Sequence, residues 1–99
     1  MDKDKIAGYL GIATRARKIV IGDSAIKAIQ KRDAKLVLLA DDCSSNTQKK
    51  VLDKCNSYRV EVVSGMRSVD LAYAIGRAEV SFVAVCDEGF AKAIQNCLK

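Results

Sequence analysis

Histidine, proline and tryptophan are absent from these 99 residues. Without histidine, the Ser-His and Cys-His routes to an activated nucleophile are closed. Aromatic residues make up only 5% of the chain. Tyr9, Tyr58 and Tyr73 fall on apolar stripes, and Phe82 and Phe90 fall in the expected core. No stacking platform is left for bases, which argues against the sheet-platform and oligonucleotide-barrel modes of RNA binding. Neither a G-x-x-x-x-G-K-S/T loop nor a G-x-G-x-x-G fingerprint is present. No apolar run approaches the ~20 residues that cross a bilayer. The start Met1-Asp2-Lys3-Asp4-Lys5 has no apolar signal-peptide core, so the cytoplasm is the expected compartment.

Short cysteine pairs are missing too. Cys43, Cys55, Cys86 and Cys97 are widely spaced, whereas zinc sites usually show at least one close pair. Cys55 falls on an apolar helix face and Cys86 ends a strand. The four read as reduced, small apolar side chains. A non-catalytic chain with no metal and no cofactor is expected.

A hydrophobic fraction of 49% supports a folded globule. The length fits one domain, residues 1–99, able to bury roughly two thirds of its unfolded surface. The net charge of +5 is unevenly placed. Residues 1–35 carry Lys3, Lys5, Arg15, Arg17, Lys18, Lys27, Lys31, Arg32 and Lys35 against Asp2, Asp4, Asp23 and Asp33, which accounts for all of it. Residues 36–99 are balanced. The densest part surrounds Gly22-Asp23-Ser24, where a helix should begin. Free backbone N–H groups and nearby cations at a helix start attract phosphate, so a polyanion, most plausibly nucleic acid, is the expected partner.

Periodicity sets the elements. Ile6, Tyr9, Leu10 and Ala13 predict a helix over 3–15. Ile19-Val20-Ile21 predicts a short strand. A helix over about 24–33 follows, capped by Asp23 or Ser24, with Lys27 and Lys31 outward. Leu36 to Ala40 reads as a strand buried on both faces. Ser44 or Ser45 caps a helix over about 46–57, whose stripe is Val51, Leu52, Cys55 and Tyr58. A strand over 60–63, a loop over 64–68 with a cap at Ser68, and a helix over about 69–76 come next. A strand over 80–85 and a helix capped by Asp87 complete the chain. This alternation implies an α/β/α sandwich around a central mixed, mostly parallel sheet of about four strands.

Three places could carry chemistry. Lys27 and Lys31 repel each other at one turn's spacing, and a phosphate ligand would reverse that. Asp41 and Asp42 end a buried strand, where acidic pairs can hold Mg²⁺ or take part in phosphoryl transfer, or cap the following turn. In the 64–68 loop, Gly65, Met66 and Arg67 could cover an unstacked base, or Met66 could pack on the core. A protein-interaction module presenting Lys49, Lys50 and Lys54 is a further reading.

Four stretches, in order, carry a resemblance. Leu10-Gly11-Ile12-Ala13-Thr14-Arg15-Ala16-Arg17-Lys18 looks like an L-G-x-A-x-R-A-x-K opening. Ala34 to Asp42 looks like an A-K-L-V-x-x-A-x-D strand. Leu71-Ala72-Tyr73-Ala74-Ile75-Gly76 is similar to L-G-x-A-x-G, and Val83 to Ala91 to V-A-V-T-D-x-G-F-A. Together they resemble the kink-turn-binding ribosomal protein family (L-seven-Ae), in its bacterial YlxQ-like branch, over about residues 8–94.

The resemblance implies an α/β/α domain that binds a kink-turn, a sharply bent RNA internal loop with sheared G·A pairs; a monomer is expected. It implies ribosome or translation association. The start of the second helix would enter the groove at the G·A pairs, and the loop before the L-G-x-A-x-G helix would cover flipped bases. Carried over by position, Gly22 and Lys27 match the motif's glycine and lysine, Lys31 a basic residue one turn on, and Asp42 the acidic strand end. Met66, Arg67 and Ser68 fall in the covering loop, and Asp23-Ser24 stands roughly where the family has Asn-Glu. Arg15 and Lys18 are expected on phosphate. Gly22 to Lys27 is one residue shorter than the family spacing, Ala72 stands for a glycine, and Arg17 stands for a glycine common in the branch.

Overall fold

Alternate side chains of two adjacent strands divide the core in two. The computed structural model describes residues 1–98. Its elements are α1 (Lys3–Arg15), β1 (Ile19–Ile21), α2 (Gly22–Gln30), β2 (Leu36–Leu39), α3 (Ser45–Tyr58), β3 (Val62–Val63), α4 (Ser68–Ile75), β4 (Phe82–Val85) and α5 (Glu88–Asn96). Leu36 and Leu38 of β2, with Val83 and Val85 of β4, face a cluster built with Ile6 and Leu10 of α1, Leu71 of α4 and Ile94 of α5. Val37, Leu39 and Ala84 point the other way, toward Ala25 and Ile29 of α2 and Val51 and Cys55 of α3. Side chains alternate across a strand, so an all-apolar strand feeds both layers. The result is the expected three-layer α/β/α sandwich around a four-stranded mixed sheet. Among the described residues, no helix is long and apolar enough to cross a membrane.

Strand pairing departs from the expected, mostly parallel sheet. The order is β1-β4-β2-β3. Only β2 and β3 pair in parallel, Val37 opposite Val62 and Leu38 opposite Val63. Strand β4 is antiparallel to both neighbours, with Val85 opposite Ile19 on one side and Leu36 on the other. Three strands still run the same way; the last one slots between two of them in reverse. Burial on both faces is the same for either direction, so composition alone does not reveal it.

Local caps form where a polar residue stands three before its donor. Asp2 Oδ1 accepts from the Lys5 N–H at 3.1 Å, Ser44 Oγ from Thr47 N–H at 3.2 Å, and Asp87 Oδ2 from Phe90 N–H at 2.9 Å. Neither Asp23 nor Ser24 caps α2, contrary to expectation. The helix opens at Gly22 behind Ile21, with no side-chain cap. It also ends early, at Gln30, because Arg32 takes a left-handed φ of 63°. Edge strand β3 shortens to two residues because only those pair with β2. Leu52, placed on the inward stripe of α3, is 40% exposed, and Tyr73 on α4 is 89% exposed.

Cys55 is 1% exposed, and burial pushes its thiol up from 9.0 to about 11. Cys55 should therefore alkylate about a hundredfold more slowly at pH 8 than a free thiol of ordinary pKa. Because the folded state keeps a proton that the unfolded thiol releases, this group's contribution to stability falls as pH rises above 9. Mass-resolved alkylation of folded protein reads the first effect; labelling of Cys55 at the unfolded rate would refute the packing.

Candidate nucleic-acid interface

The start of α2 is fixed by Gly22. Its φ is +59°, a left-handed angle that glycine adopts without strain. No atom lies within 4 Å of where a Cβ would stand, so the requirement is the backbone angle and not space. Asp23 and Ser24 sit exposed in the first turn, and Asp23 complements the positive end of the helix. With no side-chain cap, the first-turn N–H groups face outward for water or an anion. Ala25, Ala28 and Ile29 bury one face of α2, which turns Lys27 and Lys31 to solvent.

Those lysines line an open groove of about 480 Å³. Lys18 and Ser24 join them there, so four of the expected contact residues meet on one surface. Arg17 and Lys35, which the sequence reading left out of the site, line it too, as do Asp33 and Cys86. Burial pushes the Cys86 thiol up and Asp33 adds to this, while Lys35 and Lys18 pull it down. Arg15 is exposed in the last turn of α1 and lies outside the groove lining. Among the described residues, the one ion pair is Lys92 with Glu88 at 3.4 Å. The groove cations therefore have no carboxylate partner within 4.0 Å among the described residues.

The 64–68 loop is braced rather than open. Asp41 Oδ1 accepts from Gly65 N–H at 2.7 Å, and the Asp41 N–H donates to the Met66 carbonyl at 2.9 Å. Asp42 takes both Ser68 donors, the N–H at 2.8 Å and the hydroxyl at 2.9 Å. So α4 is capped from 26 residues away by Asp42, and not by Ser68 as the local pattern suggested. These bonds, the Ser68 N–H first, hold the Asp42 carboxyl below its ordinary 3.8. Both carboxylates thus serve as braces for the loop and for the start of α4. Met66 is 3% exposed and packs in the core, so it does not reach a base. Arg67 stays exposed.

A different connection borders the start of α2. Because β4 lies between β1 and β2, the segment leading into it crosses the top of the sheet beside Gly22. One groove of about 310 Å³ is lined by Ile21, Gly22 and Thr47 with Glu79, Val80, Ser81 and Phe82. A second, of about 200 Å³, joins Ser24 and Ile21 to Ile75 and Arg77. Neither includes residues 64–68. Arg77 to Ser81 carried no sequence motif that singled them out; only the strand order places them here.

Residues 4–95 match the model of the Ribosomal protein L7Ae/L30e/S12e/Gadd45 family. The chain belongs to this family. RNA-binding protein YlxQ of Bacillus subtilis (strain 168) is 49% identical over 90 residues, covering 90% of each chain. RNA-binding protein YlxQ of Enterococcus faecium is 32% identical over 99 residues, covering 99% of this chain and 95% of its own. A solved protein of unknown function from Bacillus halodurans C superposes with a TM-score of 0.88 at 36% identity, covering 93% of this chain and 94% of that one. The Giardia lamblia 15.5kD RNA binding protein shares the fold, with a TM-score of 0.75 at 16% identity over 93% of this chain and 80% of that one.

The Asp42 brace predicts an acid response. Its carboxyl is depressed, so its stabilising bonds are present above the ordinary 3.8 and are lost as pH falls through the lower folded value. Carbon-detected carboxyl NMR should show Asp42 titrating below 3.8. Asp42→Ala should raise hydrogen exchange at the Ser68 amide at neutral pH. An unchanged Ser68 exchange rate would remove Asp42 from the brace.

Proposed function

We propose that this chain is a non-catalytic binder of structured RNA, that its preferred target is a kink-turn, and that it serves the ribosome or a translation factor. The observation that carries the reading is the convergence of Lys18, Lys27 and Lys31, which form no ion pair among the described residues, with an uncapped helix start on one open surface. Phosphate fits that chemistry: lysine ammonium groups supply charge, and first-turn N–H groups supply directed donors. The family assignment and the RNA-binding names of the YlxQ relatives support the same class of ligand.

Within this reading, Lys27 and Lys31 enter the groove of the bent RNA. Gly22, Asp23 and Ser24 present backbone N–H groups and short polar side chains at the sheared pairs. Arg77 to Ser81, adjacent to that helix start, are placed to contact bases turned out at the bend. Arg67, Ser68 and Asp42 act farther along the same edge of the sheet, with Arg67 free to reach phosphate and Asp42 holding the loop that carries it. Arg15 reaches phosphate from the end of α1. The domain works as a monomer.

Lys27→Ala with Lys31→Ala should weaken binding to a kink-turn RNA and lower the salt slope of log K by about 1.4–1.8. Lys49→Ala with Lys50→Ala removes equal charge from exposed positions of α3, which packs beside α2 but leaves these lysines off the groove. Fluorescence anisotropy on both variants should give a much larger loss for the first. Equal losses would reduce the interaction to net charge. Replacing the sheared G·A pairs with Watson–Crick pairs tests the finer claim, since unchanged affinity would leave structured RNA without kink-turn preference.

A further inference from the structure

We infer that Arg17, Lys18 and Lys35, at the end of the groove away from the start of α2, form a second RNA-backbone contact that grips a helical stem flanking the bend. This inference rests on the RNA-binding reading above and extends its surface across the sheet.

The zone is held by main-chain bonds. Cys86 N–H donates to the Lys18 carbonyl at 2.8 Å, and Lys35 N–H donates to the Val85 carbonyl at 2.7 Å. The end of β4 therefore fixes the main chain of both lysines, one just ahead of each neighbouring strand, with backbones about 10 Å apart. Lys35 Nζ donates to the Arg32 carbonyl at 3.3 Å, which lays its ammonium over the turn after α2. The nine residues of α2 rise about 13 Å. Lys27, Lys31 and Lys35 thus form a line of charge running away from the helix start. A single small anion would not need that length, whereas a nucleic-acid backbone does.

Arg17 adds a conformational argument. Its N–H donates to the Thr14 carbonyl at 3.0 Å, and Lys18 N–H donates to the Ala13 carbonyl at 2.9 Å. This is the Schellman closure of a helix, in which the left-handed residue is usually glycine. Here Arg17 occupies it with φ 61°. Gly76 closes α4 in the same way, so the fold accepts glycine at such a turn. A bulky residue in a left-handed angle carries strain that glycine would not, so Arg17→Gly changes strain and charge together. Arg17 lines the groove with no acidic partner within 4.0 Å among the described residues. Arg59 closes α3 with φ 57° and lies off the groove, so it carries the same strain without the proposed contact.

The test separates strain from binding. Parent protein, Arg17→Gly, Lys35→Ala and Arg59→Gly are titrated against a kink-turn RNA with long stems and against the same RNA trimmed close to the bend, across a salt series. Arg17→Gly should raise Tm by about 3–6 °C through relief of strain. On the long-stem RNA it should bind about three- to tenfold more weakly, with a salt slope smaller by about 0.7–0.9. Lys35→Ala should show the same loss of binding. On the trimmed RNA both should match the parent. Arg59→Gly should gain stability and keep full affinity for both RNAs. Parent-like affinity of Arg17→Gly for the long-stem RNA overturns this inference and leaves the α2 site standing. A loss of the same size in Arg59→Gly, or an equal loss on both RNAs, overturns it as well. Absence of RNA binding by the parent protein overturns both readings.

Discussion

Strand β4 runs against both of its neighbours, and the surface of the molecule is organised around that reversal. Its side chains serve both cores, Val83 and Val85 on one face and Ala84 on the other. Its entry at Phe82 pushes the Arg77–Ser81 segment up beside Gly22, between the start of α2 and the end of β2. Its exit at Val85 and Cys86 ties Lys18 to Lys35. A sheet of consecutive parallel strands would have put β2 next to β1 and closed both of those arrangements. Long-range pairing, rather than any local motif, thus sets which loops and which cations share a surface.

The parts legible in the sequence are those whose causes are local. Ile6, Leu10 and Ala13 repeat at helical spacing, and Asp2 caps three residues ahead, so α1 emerges at its expected bounds. Ser44 and Asp87 act through the same short reach. Alternation within Leu36 to Leu39 does not exist in the sequence because both faces are buried, yet the continuous run still marks a central strand. The positive excess of residues 1–35 also gathers on one surface, since Lys18, Lys27 and Lys31 come together in space.

What the sequence hid was non-local or a matter of backbone angle. Ser68 looks like a cap, but the carboxylate of Asp42 reaches the helix first from a distant strand end, and Ser68 becomes its donor. Met66 reads as an available apolar side chain in a polar loop. The bonds from Asp41 to Gly65 and to the Met66 carbonyl turn that loop inward and bury it. Tyr73 has the spacing of a core residue, but α4 spans eight residues with Leu71, Ala72 and Ile75 already filling its inner face. Lys35 looks like one more surface lysine until the strand order places it across from Lys18.

Three local features of α2 and the turns beside it are ones that stability alone would not favour. Gly22 opens α2 without a side-chain cap, a device worth about 0.5–2 kcal/mol where present. Lys27 and Lys31 repel across one turn by a few tenths of a kcal/mol. Arg17 and Arg32 hold left-handed angles, a conformation that costs a side-chain-bearing residue about 1–2 kcal/mol. Set against a net stability of about 5–15 kcal/mol for a domain, the total is not negligible. Elsewhere α1, α3 and α5 carry satisfied side-chain caps and no buried side-chain polar atom is left unpartnered among the described residues, although Arg59 repeats the left-handed angle at the end of α3. On the proposed reading, a bound polyanion would remove two of the three penalties, by pairing with the first-turn N–H groups and by screening the lysines. The bound state is then stabilised by interactions that the free protein leaves unmade.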